Sequence, residues 1–291
     1  YTLNIVGSDN NTKHELENVL QAIRDNVSGI IISPTTSSAS ATILKFAAKA
    51  NIPVVISDVG TDSGEYVSYI SSDNKNGAYT LGKVLVKKMM QRGWGKGSVG
   101  IIAIPQKRAN GRARTTGFLQ ALNEAGINAA GISQQITFSY QETYDFTKEF
   151  ISQSPDLRAI WLQTSNKHQA ASDAINDAGK QDDILLISFD AEPIFLELIP
   201  QGLLVGAAMH EVDDVAVLHD VRLALLVVLA RRLDVGHALG LLVLLEVRPV
   251  DDLRLDEVLL EVRVDRAGRL RRGPAGRDRP AADLLLAGGD E

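Results

Sequence analysis

Two carboxylates, two guanidiniums and a few hydroxyl and amide side chains stand where a ligand could meet them. Asp58 and Asp190 each follow a short apolar run, and Arg112 and Arg114 precede an amphipathic stretch. A carboxylate accepts two hydroxyl protons, and a guanidinium presents a planar fork of donors. Asp58, Arg114 and Asp190 would together form a charged but mutually compensated set. Burying such charges is tolerable only when each finds a partner. Each residue also has a plain structural reading. Aspartate after a strand serves as a helix cap or turn residue, and arginine at a helix start is a solvated charge.

Other chemistry is missing from the pattern. There is no Cys, which excludes disulfides, thiolate nucleophiles and Cys-ligated metal. His14, His168 and His210 are scattered without metal-ligand spacing. Gly93-Trp-Gly-Lys-Gly-Ser98 lacks the order of a phosphate loop and precedes a strand instead of following one. No G-x-S-x-G elbow occurs. The formal net charge of −6 offers no basic face for nucleic acid. The chain reads as a non-enzyme without a metal or cofactor.

The elements that must position these residues alternate regularly. Continuous apolar runs at Tyr1–Val6, Gly29–Ile32, Ile52–Ile56, Tyr66–Ile70, Val99–Ile104, Ala159–Gln163 and Ile184–Phe189 read as strands. Between them, helical periodicity covers a segment capped by Asn11 or Thr12 with the stripe Leu16, Val19, Leu20 and Ile23. Further helices are expected over Ser40–Ala50, Gly77–Gln91, Thr115–Ala125, Glu142–Gln153 and His168–Ala178. Unbroken apolar strands between amphipathic helices mean an α/β fold with parallel sheets covered on both faces. Ligands of such sheets bind at the carboxyl ends of strands, here Ser33, Asp58, Ser72, Gln106, Thr164 and Asp190. Trp161 lies inside an apolar run and reads as core, whereas Phe189 is divided between core and stacking platform.

The alphabet changes near His210. From Glu211 to Glu291 the chain uses only Leu, Val, Ala, Arg, Asp, Glu, Gly, Pro and His. Ordinary domains draw on Ile and aromatics for cores and on Ser, Thr and Asn for caps. This tail is expected to be GC-rich DNA translated out of frame, or a disordered segment around Gly268–Pro280; its rival reading is a crossover helix over Leu223–Arg232. At the other end, Tyr1 lies already inside a strand-like run, which fits a removed signal peptide or a start within the domain.

Four strand-end segments occur in order at suitable spacing: Asn51-Ile-Pro-Val-Val-Ile-Ser-Asp58, Ser71-Ser-Asp-Asn74, Arg112-Ala-Arg-Thr-Thr-Gly-Phe118 and Ser188-Phe-Asp190. Over Tyr1–Met209 the chain resembles the periplasmic sugar-binding proteins of the ribose-binding type, which share their fold with the effector domains of lactose-repressor-type regulators. The resemblance implies two lobes of parallel sheet sandwiched by helices: residues 1–72 as an incomplete N-terminal lobe, 73–209 as the C-terminal lobe, and 210–291 outside both. It implies a sugar between the lobes, hinge closure around it, delivery to an ABC-type permease, a periplasmic or membrane-tethered exported location, and a monomer. Asp58 and Asp190 match hydroxyl acceptors, Arg114 matches the cleft arginine, and His210 a polar residue near the hinge. Phe189, Arg112, Thr164 and Asn166 complete the expected ligand set with Ser33. Ser33 stands where ribose binders carry Asn, Val59 where they carry Arg, and Thr164-Ser165 where they carry Asn-Asp. These three departures argue against ribose itself, because a site built for one hydroxyl pattern rejects ligands that leave its buried groups unpaired. Two other functions share the pocket: the effector domain of a lactose-repressor-type regulator, and an exported sugar sensor.

Overall fold

The apolar runs assemble into two five-stranded sheets, each with its own core. The computed structural model describes residues 2–208 together with Leu241–Glu246, Arg263–Val264 and Leu270–Arg271. The first half supplies β1 (Thr2–Gly7), α1 (Thr12–Arg24), β2 (Gly29–Ile32), α2 (Ser37–Lys49), β3 (Val54–Ser57) and β4 (Ser68–Ile70). A long helix α3 (Asn74–Gln91) follows. The second half continues as β5 (Ser98–Ala103), α4 (Ala109–Glu124), β6 (Asn128–Gln134), α5 (Tyr140–Gln153), β7 (Leu157–Leu162), α6 (His168–Asp177), β8 (Leu185–Phe189), the short α7 (Phe195–Leu198) and β9 (Ala207–Ala208).

The second sheet has the order β6-β5-β7-β8-β9 and is parallel throughout. Every residue of β5 and β8 is buried, because helices cover both faces. On one face Val99, Ile101, Trp161 and Ile187 pack against Leu81, Leu85, Met89, Phe118 and Leu122 of α3 and α4. On the other, Ile102, Ile160 and Leu186 pack against Phe150, Ala171, Ile175 and Phe195. Trp161 is core, as expected: it is fully buried and stacks on Phe118 with ring centroids 3.8 Å apart. The first sheet buries Val19, Ala22, Ile43, Leu44 and Ala47 of α1 and α2 against Ile30, Ile32, Val54 and Ile56.

In the first sheet the order is β1-β10-β2-β3-β4, where β10 is Leu241–Glu246. β2, β3 and β4 are parallel neighbours, while β10 runs antiparallel to both β1 and β2, with Ile5 and Ile31 opposite Val243. A tail segment therefore holds an interior position in this sheet. Tyr1–Arg248 forms one compact unit. Pro249–Glu291 forms a second, in which β11 (Arg263–Val264) pairs with β12 (Leu270–Arg271). The Leu223–Arg232 helix reading and His210 lie outside the described residues. Among those described, no helix is long and apolar enough to cross a membrane.

Several elements differ from the sequence reading, and four of the differences have a plain physical reason. α4 begins at Ala109, not Thr115, so Arg112 and Arg114 belong to the helix; glycine at 111 and the absence of a side-chain cap hide that start. α2 and α3 likewise begin three residues early, each held by a polar cap: Thr36 accepts from Ala39 N–H and Asp73 from Asn76 N–H. β6 has no apolar run to betray it, because it is an edge strand with mostly exposed side chains.

Candidate functional site

Polar side chains collect at the carboxyl ends of both sheets. Asp58 follows β3 and Asp190 follows β8, and both adopt left-handed backbone, with φ of 64° and 63°. Aspartate tolerates this region better than most residues, and such backbone concentrates at binding sites. The turn points the chain away from the sheet at the place where a ligand of a parallel sheet would sit.

In the second half the centre is Arg114, which is 3% exposed. Its Nε donates to Asn74 Oδ1 at 2.8 Å, and Nη1 donates to the Gln163 carbonyl at 2.6 Å and to Asp190 Oδ2 at 3.3 Å. The guanidinium lies 4.0 Å over the Phe189 ring, a cation–π contact strengthened by burial. The Arg114–Asp190 pair is thus locked among carbonyl, amide and aromatic partners, as a buried pair must be. Phe189 is buried in the core, and its ring lies beneath the Arg114 guanidinium. Asn74 also donates to the Ser72 carbonyl, so the Asp73-Asn74 segment supports helix and arginine.

On the first-sheet side, Asp58 Oδ1 accepts from Asn110 Nδ2 at 2.9 Å, and the Asp58 carbonyl accepts from the Tyr69 hydroxyl. Ser33 is fully buried and its hydroxyl has no hydrogen-bond partner. Val59 is buried too. Arg112 stands on the rim, half exposed, and pairs with Asp62 at 2.9 Å. Thr164 is half-buried beside the exposed Asn166, whose Oδ1 accepts from it at 3.4 Å. Ser165 turns inward to donate to Glu192 Oε1. The structure therefore brings Arg114, Asp190 and Phe189 into contact, places Asp58 and Ser33 at the first sheet's ends, and leaves Arg112 and Asn166 at the periphery.

Several residues escaped the sequence reading. Arg108 is 2% exposed; its Nε donates to the Thr35 carbonyl at 3.0 Å and its Nη2 to Asn10 Oδ1 at 2.8 Å. Glu15, 1% exposed on α1, accepts from Thr35 N–H at 2.7 Å through Oε1, while Oε2 has no partner. Burial raises the Glu15 pKa, opposed by the Thr35 hydrogen bonds and by Arg108. Burial likewise lowers Arg108, and the carboxylates of Asp58 and Glu15 push it back up. Gln163 is buried, donating to Thr115 and accepting from Ile104 N–H. A basic residue in a predicted loop gives no sign that it will be buried; the three arginines within seven residues, Arg108 to Arg114, were the available signal.

Comparison with known proteins identifies the family and the fold. The family model described as the periplasmic binding protein domain matches residues 1–217. The ribose import binding protein of Escherichia coli K12 is 30% identical over 215 residues, 74% of this chain and 71% of that protein. An ABC transporter solute binding protein from Burkholderia multivorans superposes with a TM-score of 0.63 at 23% identity, covering 71% of this chain and 73% of that one. An ABC transporter periplasmic solute binding protein from Actinobacillus succinogenes, with D-allose bound, superposes with a TM-score of 0.59 at 26% identity, covering 68% and 70%. The HTH-type transcriptional repressor PurR of Proteus mirabilis is 28% identical over 127 residues, 44% of this chain and 35% of that protein, and that of Pasteurella multocida 24% over 196 residues, 65% and 55%. On a match that runs from residue 1 to residue 217, this chain belongs to the periplasmic binding protein family.

Proposed function

We propose that the protein binds a sugar between its two sheets and delivers it to an ABC-type importer outside the cytoplasmic membrane. The observation that carries this reading is the buried Arg114–Asp190–Phe189 group at the end of β8, together with Asp58 at the end of β3, held by Asn110. Asp58 and Asp190 accept ligand hydroxyl protons, Arg114 donates to ring and hydroxyl oxygens, and Phe189 supplies an apolar face. Ser33, Thr164 and Asn166 complete the lining, and Arg112 acts from the rim. Residues 1–72 and 73–209 serve as two lobes, and closure is favoured because ligand satisfies groups on both. The protein acts as a monomer without catalysis. Ribose import and D-allose binding, named for the two relatives above, support a monosaccharide; buried Ser33 and Val59 favour one other than ribose. The repressor reading is weaker: the PurR repressors of Proteus mirabilis and Pasteurella multocida are 28% identical over 127 residues and 24% over 196, against 30% over 215 for the ribose import binding protein.

Titration calorimetry against a panel of pentoses and hexoses tests this. One sugar is expected to bind at about micromolar Kd or tighter, a gain of about 8 kcal/mol. Asp190→Asn and Asp58→Asn should each weaken that sugar at least about tenfold, the scale of one lost charged hydrogen bond. A full panel without heat, on folded protein, would overturn the reading.

A further inference from the structure

The last turns of α3 and the segment around α7 form a surface well away from the strand ends. From Asn74 to Asn123 the chain carries no Asp or Glu, although its net charge is −6. On α3, Val84, Lys87 and Lys88 line one wall of an open groove, and Ile199, Leu204 and Val205 line the other. The two lysines lie roughly 20 Å along the helix from Asn74, which holds Arg114. Neither lysine forms an ion pair among the described residues. On the α7 side, Phe195 is buried and Leu198 half-buried, which fixes the inward face and turns Leu196 and Ile199 outward. Leu196 is 82% exposed, and Leu203, next to the groove-lining Leu204, is 60% exposed. The helix dipole accounts for cations in the last turn of α3, but not for bare leucines beside them.

Protein interfaces favour aromatic side chains and arginine and disfavour lysine. This groove and its rim offer aliphatic side chains and lysine instead. That combination needs no matched geometry: ammonium groups attract an anionic layer, and aliphatic tips enter it. We infer that this surface rests on an anionic lipid bilayer, with phosphate head groups at Lys87 and Lys88 and with Leu196 and Leu203 inserted beneath them. The inference uses no residue assigned to sugar binding and does not rest on that reading.

Co-sedimentation of the full chain with vesicles tests this. The protein should pellet with mixed phosphatidylglycerol and phosphatidylcholine vesicles at low salt, be released as salt rises, and stay in solution with phosphatidylcholine alone. Lys87→Gln with Lys88→Gln should weaken partitioning at least about tenfold, since each lysine at such a surface contributes a factor of about five. Leu196→Ser with Leu203→Ser should weaken it by a similar factor. Glu197→Gln, which removes an exposed carboxylate next to Leu196, should strengthen it. All these side chains are exposed, so the substitutions spare the fold. Lys45→Gln with Lys49→Gln, which removes the same charge from the exposed side of α2, should leave partitioning unchanged. No pelleting with mixed vesicles, unchanged partitioning of the Lys87/Lys88 variant, or an equal loss in the α2 control would overturn the inference. Binding to a polyglutamate peptide but not to vesicles would overturn it in favour of an acidic protein partner. Self-association that the two leucine substitutions abolish, without vesicle binding, would overturn it in favour of a second copy of the chain.

Discussion

At the scale of single residues, this protein concentrates buried charge where its strands end. Arg114 and Asp190 neutralise one another, but Glu15 does not have an equivalent partner: one oxygen accepts from Thr35 and the other accepts nothing. Desolvation therefore raises its pKa above the ordinary 4.5. The sign follows from linkage. A group whose pKa is raised on folding binds more protons in the native state, so its stabilisation is complete below about pH 4.5 and is lost as pH rises through the folded value. Glu15→Gln keeps a carbonyl for Thr35 and removes the buried charge. Denaturant melts across pH should therefore show the variant gaining stability over the parent as pH rises from about 4 to 7, with the difference vanishing at the acid end. A difference independent of pH would mean that Glu15 is not the group that titrates.

At the scale of elements, the close approach of α3 and α4 aims Arg114. Asn74 at the start of α3 accepts from Arg114 on α4, so the spacing of the two helices sets where the guanidinium points. Two glycines permit that spacing. A Cβ added at Gly82 would meet Ala121 Cβ at 2.7 Å, and one added at Gly117 would run into the Lys75 carbonyl, a backbone atom that cannot swing away. Gly117→Ala should cost about 1–3 kcal/mol in denaturant melts, the usual penalty of overpacking. It should also weaken sugar binding, by pushing Asn74 off Arg114. Gly117 was visible in the chain as part of Arg112–Phe118, but its reason was not, because the contact it makes is with a helix forty residues away.

At the scale of the whole molecule, the first sheet depends on a strand from far down the chain. β10 lies between β1 and β2, which do not pair with each other. Deleting Leu241–Glu246 should leave β1 joined to nothing in the sheet and expose two rows of backbone donors and acceptors. Hydrogen exchange at Asn4, Ile5 and Val6 should then accelerate relative to Ile31, and the deleted chain should aggregate on concentration. Equal protection of β1 in the two proteins would show that its ordering does not need β10. The compositional oddity of residues 211–291 gave no hint of such a role, since Leu-Leu-Val-Leu-Leu suits a strand, a helix or a hydrophobic run of no fixed structure equally well.

Much of this protein can be read from its residues alone, and the division has a physical cause. Unbroken apolar runs such as Gly29–Ile32 and Val99–Ile104 show burial on both faces, which means parallel sheets, and parallel sheets put their ligands at strand ends. Asp58, Ser33 and Asp190 were therefore legible by position, and Arg114 by the ordered segments around it. The tertiary structure alone decided which of these meet. It paired Arg114 with Asp190 rather than Asp58, left Arg112 half exposed, and buried Arg108, Asn110 and Glu15 against the loops of the first sheet. Local periodicity records whether a face is buried, whereas the partner of a long polar side chain depends on elements that converge only when the chain has folded.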